Sequence, residues 1–341
     1  MTLNLDDIAR LAGVSRTTVS RVINDRPEVN ENTRRAVLKV IEEVKFHPNI
    51  AARMLATQRT HIIGVAVLNP IRTFKSDYGS ILFDGISHVT NERDYMTVLY
   101  WEQPHPEKDR FSQRILQKNR LMDGMLLAST DIDSSLIDHM VELKIPFVMM
   151  QRPPRYEDRI SYVTIDNIAS SKLVVDHLIG LGRRNIGYIV GLTRQIDAQE
   201  RFLGYRMALE QHNIAFDPRR VAEGSFSREN GYMAMKELLA REVELDAVFV
   251  SNDDGAEGVL AALRDAGVRV PDDVAVVGFD DLPGAEHIQL TTVHQPIREK
   301  AVRATQLLLD IIEGVVEGPQ HILLPTHLVV RQSCGAQRTH S

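Results

Sequence analysis

The first residues able to do chemistry lie within 25 positions of the N-terminus. Arg16, Thr17 and Arg21 fall in a stretch that holds no acid between Asp7 and Asp25. An arginine can fork onto guanine O6 and N7, and a threonine can touch a thymine methyl group. Ser15, Thr18, Ser20 and Asn24 are interleaved with them. Their short polar side chains suit phosphate contacts or helix caps. To act together, these groups must project from one short helix set at an angle to another. The spacing Ala9-x3-Gly13-x5-Val19 meets that requirement. A small residue lets two helices cross closely, a glycine makes the sharp turn, and a β-branched residue fills the joint. This is the mechanical pattern of a helix-turn-helix, whose second helix enters the major groove N-terminus first. A helical hairpin that only packs is the alternative.

Residues 3–46 read as three helices. Gly13 ends the first, Ser15 caps the second over about 16–24, and Asn30 caps the third. Pro48 suits the first turn of a further short helix, about 48–57, too short to be stable alone in water. Charge is divided to match. Residues 1–59 carry 10 Lys+Arg against 7 Asp+Glu, while the other 282 carry 30 against 39. A cationic head on an acidic body points to a polyanionic partner at this end only.

The chain has 341 residues, 43% hydrophobic and 25% charged, which excludes collagen-like and disordered classes. No apolar run reaches the ~18–20 residues that span a bilayer. The first residues lack a basic segment followed by an apolar one, so a cytoplasmic location is expected. One cysteine, Cys334, allows no internal disulfide and no thiolate-based structural zinc site. The 12 histidines are scattered, and no metal or cofactor is expected.

From His61 onward, short apolar runs alternate with amphipathic stretches. The runs are 62–68, 96–100, 124–128, 147–150, 186–190, 247–250 and 274–279. Helices are expected near 79–92, 106–119, 133–143, 168–181, 198–213, 228–241, 254–266 and 297–313. This is an α/β pattern of mostly parallel strands buried on both faces. Two segments open alike, at His61-Ile-Ile-Gly64 and Arg184-Asn-Ile-Gly187. They predict a duplicated architecture of two open lobes, with ligand bound at strand C-termini in the cleft between them. Polar residues stand at those ends: Arg201 after the 186–191 strand, Asn252 and Asp253 after 247–251, Asp280 and Asp281 after 274–279. Nucleotide-loop, zinc-protease and nucleophile-elbow signatures are missing, so no enzyme is expected.

Leu5-Asp-Asp-Ile-Ala-Arg-Leu-Ala-Gly13 and its continuation to Asn24 resemble the head of the lactose/galactose repressor family of bacterial transcription regulators. His47-Pro-Asn-Ile-Ala-Ala-Arg-Met-Leu55 resembles that family's hinge helix. Val250-Ser-Asn-Asp253, Val277-Gly-Phe-Asp-Asp281 and Leu290-Thr-Thr-Val-His-Gln-Pro296 resemble its core signatures.

The resemblance implies a helix-turn-helix head at 1–46, a hinge at 47–59 and a periplasmic-binding-protein-like core at 60–341. The core's two subdomains would be 60–161 with 293–323, and 162–292 with 324–341. It implies a homodimer on a pseudo-palindromic duplex operator, associated with the nucleoid through DNA. Asn49, Ala52 and Arg53 would lie in or beside the minor groove, and Leu55 would wedge into its central step. The effector would be a sugar, sugar acid or sugar phosphate. Arg201, Asn252 and Asp280 would hold its hydroxyls, with Tyr78, Trp101 or Phe226 packed on its C–H face. Gln295 would stand behind them. Other roles compete: capping for Asn252, a turn for Asp280, a solvated loop for Arg201, core packing for the aromatics. Where the family often has Asp before Arg-Pro, this chain has Gln151-Arg152-Pro153. That change, with Arg155 and Arg159 nearby, raises the expectation of an anionic ligand. The helices near 79–92 and 254–266 are the expected dimer faces. No heptad tail follows, so a coiled-coil tetramer is not expected.

Overall fold

The computed structural model describes residues 3–23, 28–46, 59–67, 70–101 and 121–336, without the side chains of 70–72 and 101. The chain divides into two compact units, 1–60 and 61–341. Asn24, the segment 47–58 with Asn49, Ala52, Arg53 and Leu55, the helix expected over 106–119, and the Trp101 side chain lie outside this description.

In the first unit, Asn4 starts α1 (Leu5–Ala12) with a reciprocal cap. Its Oδ1 accepts from the Asp6 amide at 2.8 Å, and Asp7 Oδ2 accepts from the Asn4 amide at 3.1 Å. This satisfies donors that a helix start leaves orphaned. Gly13 stops α1 at φ +65°, a left-handed conformation that glycine adopts without a Cβ clash. Ser15 Oγ then accepts from the Thr18 amide and begins α2 (Arg16–Ile23). Asn30 caps α3 (Glu31–Glu43) through the Asn32 amide. Ala9 and Val19 are buried with Ile8, Val22 and Val37, as the spacing of the turn requires.

The second unit is built on two six-stranded sheets. The first sheet joins β1 (Ile62–Val67), β2 (Met96–Trp101), β3 (Gly124–Leu127), β4 (Phe147–Met149), β5 (Ser161–Ile165) and β11 (His321–Leu324), in the order β11-β5-β4-β3-β1-β2. The second joins β6 (Ile186–Val190), β7 (Val221–Glu223), β8 (Ala247–Val250), β9 (Ala275–Asp280), β10 (Thr291–His294) and β12 (His327–Val329), in the order β12-β10-β9-β8-β6-β7. Every pairing is parallel except β10 with β12. Between strands run α4 (Pro70–Lys75), α5 (Asp77–Glu92), α6 (Ser135–Glu142), α7 (Asn167–Gly180), α8 (Ile196–Gln211), α9 (Arg228–Ala240), α10 (Asp253–Asp265), α11 (Pro283–His287) and α12 (Ile297–Glu313). Helix neighbours approach closely. A Cβ on Gly258 of α10 would sit 2.0 Å from the Arg228 carbonyl oxygen at the start of α9. Only glycine fits that crossing.

The expected lobe boundaries at 161/162, 292/293 and 323/324 need correction. β5 is buried along its length and pairs with β4 and β11, so the first sheet runs to Ile165. β10 pairs with β9 through His294, so the second sheet keeps its strand to that point. β11 ends at Leu324. A hydrogen-bonded ladder holds a strand within one sheet, so each crossing falls after the strand rather than within it. β5, β7, β10, β11 and β12 are strands that the apolar runs did not reveal.

Candidate functional site

In the head, α2 buries Val19 and Val22 and leaves Arg16, Thr17 and Arg21 exposed on the other side. Ser15 and Thr18 are joined through their hydroxyls at 2.9 Å, at the N-terminus of α2. Ser20 is half-buried. The Arg16 guanidinium stands 3.9 Å from the Asp6 carboxylate, and both side chains are about two-thirds exposed. Such a surface pair contributes at most about 1 kcal/mol, so an anionic partner can draw Arg16 away from it.

In the second unit, a cavity of about 100 Å³ opens where strand ends of the two lobes meet. Val67, Ser76, Tyr78 and Ser129 line it from the first lobe, and Gln195, Asp197, Arg201, Phe226, Asn252, Asp254 and Asp280 from the second. Ser76 Oγ donates across the cleft to Asp254 Oδ2 at 2.6 Å. Asp131 and Arg194 form a second bridge between the lobes.

Arg201 is held on α8, not on a solvated loop, and is only 4% exposed. Its Nε donates to Asn167 Oδ1 at 2.9 Å and its Nη1 to the Ser251 carbonyl at 2.6 Å. The guanidinium carbon lies 3.7 Å from the centre of the Phe279 ring, and Nη1 is 3.8 Å from Asp280 Oδ1. The guanidinium is therefore fixed in orientation beside a buried carboxylate. Asn252 combines two roles. It caps α10 by accepting from the Gly255 amide at 3.2 Å, and its Nδ2 donates to the Phe226 carbonyl at 3.1 Å. Phe226, at φ +61°, fills the space over Gly191. A Cβ at Gly191 would lie 2.1 Å from that ring, so this glycine admits the aromatic wall.

Asp280 sits at φ +123°, where a non-glycine residue is strained. It accepts from Gln295 Nε2 at 2.8 Å, so Gln295 stands behind it rather than in the cavity. Burial pushes the Asp280 carboxyl up to about 7, opposed chiefly by the Arg201 guanidinium, while Asp254 raises it further. A folded-state value above the unfolded 3.8 means that the folded chain binds the extra proton. This group's contribution to stability is full below about pH 4 and falls as pH rises to about 7. The expected slope is about 1.4 kcal/mol per pH unit. Denaturation from pH 4 to 8 should give a wild-type curve that falls relative to Asp280→Asn. Parallel curves would contradict the assignment.

Two of the expected ligand residues belong elsewhere. Gln151 is buried, with Oε1 accepting from the Thr130 amide at 3.3 Å and Nε2 donating to Thr130 Oγ1 at 3.0 Å. It ties the ends of β3 and β4 together and does not line the cavity. Arg152 pairs with Glu200 at 3.3 Å and Glu157 at 3.6 Å. Arg155 grips Asp138 at 2.6 Å and donates to two carbonyls. Arg159 packs over the Tyr156 ring at 5.5 Å. The cations behind the expectation of an anionic ligand are thus engaged outside the cavity.

The sequence reading also missed Asp254, Asp197, Gln195 and Ser76. It singled out Asp253, which faces inward. There Asp253 Oδ1 accepts from Thr292 Oγ1 at 2.6 Å, and Oδ2 from the Leu282 amide at 2.8 Å. Asp281 likewise accepts from Arg331 at 2.7 Å and pairs with His294 at 2.9 Å. The signal for Asp254 was its place in the first turn of α10, one residue past a noted acid.

A two-lobed α/β binding core and a separate helix-turn-helix unit in one chain define a ligand-binding regulator of the DNA-binding class. Residues 4–49 match the bacterial regulatory proteins of the lacI family, and 175–334 match the periplasmic binding protein-like domain. The HTH-type transcriptional regulator CelR of Thermobifida fusca is 38% identical over 333 residues, 96% of this chain and 97% of that protein. The probable HTH-type transcriptional repressor ExuR of Bacillus subtilis is 35% identical, over 97% of this chain and 98% of its own. Among solved structures, a CelR–cellobiose complex matches with a TM-score of 0.76 at 36% identity, over 97% of this chain and 99% of that one. The lac repressor dimer bound to operator and the anti-inducer ONPF matches with a TM-score of 0.83 at 25% identity, covering 98% and 99%. The chain belongs to the lacI family of bacterial transcriptional regulators.

Proposed function

We propose that the chain is a sugar-controlled repressor that binds a pseudo-palindromic operator as a dimer in the cytoplasm. The partition into a head at 1–46, a hinge at 47–59 and an effector core at 60–341 goes with that reading. Arg16, Thr17 and Arg21 read base edges, while Ser15, Thr18, Ser20 and Asn24 meet phosphates. Asn49, Ala52, Arg53 and Leu55 belong to the hinge and its minor-groove wedge.

The observation that carries the effector half is the cavity itself. Arg201, Asn252 and Asp280 on one lobe face Tyr78 and Ser76 on the other. A planar guanidinium and a carboxylate suit paired hydroxyls, and Phe226 offers an apolar wall. Three acids, Asp197, Asp254 and Asp280, line the cavity with one arginine. That balance favours a neutral, hydroxyl-rich ligand over a sugar acid or phosphate. Cellobiose, the ligand named for the CelR structure, is the first candidate.

Control follows from differential affinity. Sugar and operator favour different lobe arrangements, so each alters affinity for the other by the same factor. Selection from random duplex DNA, with and without cellobiose, tests the whole reading. An inverted-repeat site should emerge, with affinity falling steeply as salt rises. Failure to enrich any such site, under either condition, would refute it.

A further inference from the structure

Lys300 is the only buried lysine among the described residues, at 1% exposed. It lies in the first turns of α12 in the first lobe, behind the cavity wall and not in it. Its Nζ donates to Gln295 Oε1 at 2.8 Å and to the Tyr78 hydroxyl oxygen at 3.3 Å. Gln295 Nε2 in turn donates to Asp280 Oδ1 at 2.8 Å. Tyr78 and Asp280 line opposite sides of the cavity. One buried ammonium is therefore linked to a ligand-facing group on each lobe.

An ammonium has three donors and no acceptor. That asymmetry sets the direction of every link. Gln295 must turn its oxygen to Lys300 and its nitrogen to Asp280. Tyr78 must accept from Lys300, which leaves its own proton to be donated elsewhere. Asp280 is presented as an acceptor. We infer that Lys300 is a positioning residue of the effector site, making Tyr78 a donor and Asp280 an acceptor toward the ligand. The ligand class that fits offers an acceptor oxygen to the first lobe and a hydroxyl proton to the second. This inference rests on the cavity being the effector site.

Charge supports the same role. The groups facing Asp280 are Arg201 of α8, Asp253 and Asp254 of α10, and Lys300 of α12. Lys300 and Arg201 are the cations of that set, so loss of Lys300 leaves Asp280 with one.

The test compares the full chain with Lys300→Met, and with Lys300→Gln in case the first variant fails to fold. Melting temperature is followed across pH 5–9, with Asp280→Asn in each background as the control. In the wild type the slope that Asp280 contributes, read against Asp280→Asn, falls to half near pH 7, where the carboxyl is half ionised. Without Lys300 that half-slope point moves to roughly pH 8 or above, because the carboxylate has lost a facing cation. A uniform drop in melting temperature with no such movement is what simple packing gives, and it overturns the inference.

Calorimetric titration with cellobiose reads the positioning itself. Lys300→Met weakens binding roughly tenfold or more, as expected for a lost charge-assisted link. Tyr78→Phe weakens it similarly, and the double variant is little worse than either single one. Equal affinity of wild type and Lys300→Met overturns the inference. Absence of cellobiose binding by the wild type refutes the proposed sugar alone, and the melting comparison still decides the role of Lys300.

Discussion

Replacing Arg201 by methionine is expected to weaken cellobiose binding roughly 100-fold or more while operator binding persists. Methionine matches the length and apolar stem but removes every donor. Asn167 Oδ1 and the Ser251 carbonyl each lose their donor from Arg201. Asp280 loses the cation that does most to hold its carboxyl down. An orphaned buried acceptor costs about 1–3 kcal/mol, and more when a charge is involved. The bound sugar itself loses its charge-assisted hydrogen bonds to the guanidinium, worth about 1.5–3 kcal/mol each, so two of them amount to about 3 kcal/mol or more, ~100-fold in affinity. Arg201→Lys should rescue little, because an ammonium cannot reproduce the planar fork that spans Asn167 and Ser251. Calorimetry with the sugar and fluorescence anisotropy with labelled operator measure the two halves separately. Unimpaired sugar binding by Arg201→Met would remove the cavity as the effector site.

The second large effect concerns the head. Val19→Asp should reduce operator binding below detection and leave the melting of the core unchanged. Among the described residues, the head's fully buried cluster is Ile8, Ala9, Val19, Val22 and Val37. A unit of some 45 residues has only a few kcal/mol of stability to lose. An unpaired carboxylate forced into that core costs several kcal/mol, enough to unfold it. Residues 61–341 form their own compact unit, with separate clusters of buried side chains. Calorimetry of the full chain should therefore lose the head's transition and keep the core's. Arg16→Ala makes a graded comparison. It leaves the head folded and should weaken binding ~10- to 100-fold, the ~1–3 kcal/mol of one bidentate base contact. Full operator affinity in Val19→Asp would mean that α2 is not the reading helix.

Both predictions depend on features of different legibility. The Ala9–Gly13–Val19 spacing was readable because every partner lies within ten residues, and local geometry dictates their contacts. The alternation of apolar runs and amphipathic stretches from His61 was readable for the same reason. Strands buried on both faces are apolar throughout, and helices repeat every 3.6 residues. β7, β11 and β12 are only three or four residues long and each lies at a sheet edge, so neither length nor burial on both faces marks them out.

The amino-acid order alone determined the helix-turn-helix, the two-lobed α/β core and the polar residues at its strand ends. Tertiary structure decided which of those residues face the cavity. Asp253 and Asp254 are neighbours, but successive helix positions point about 100° apart, so one meets Thr292 and the other Ser76. Gln151 and Arg152 turn away because Thr130 and Glu200 stand beside them. Lys300 reaches Tyr78 across 222 positions of chain. Such partners are chosen by how distant elements pack, and no local pattern records that choice.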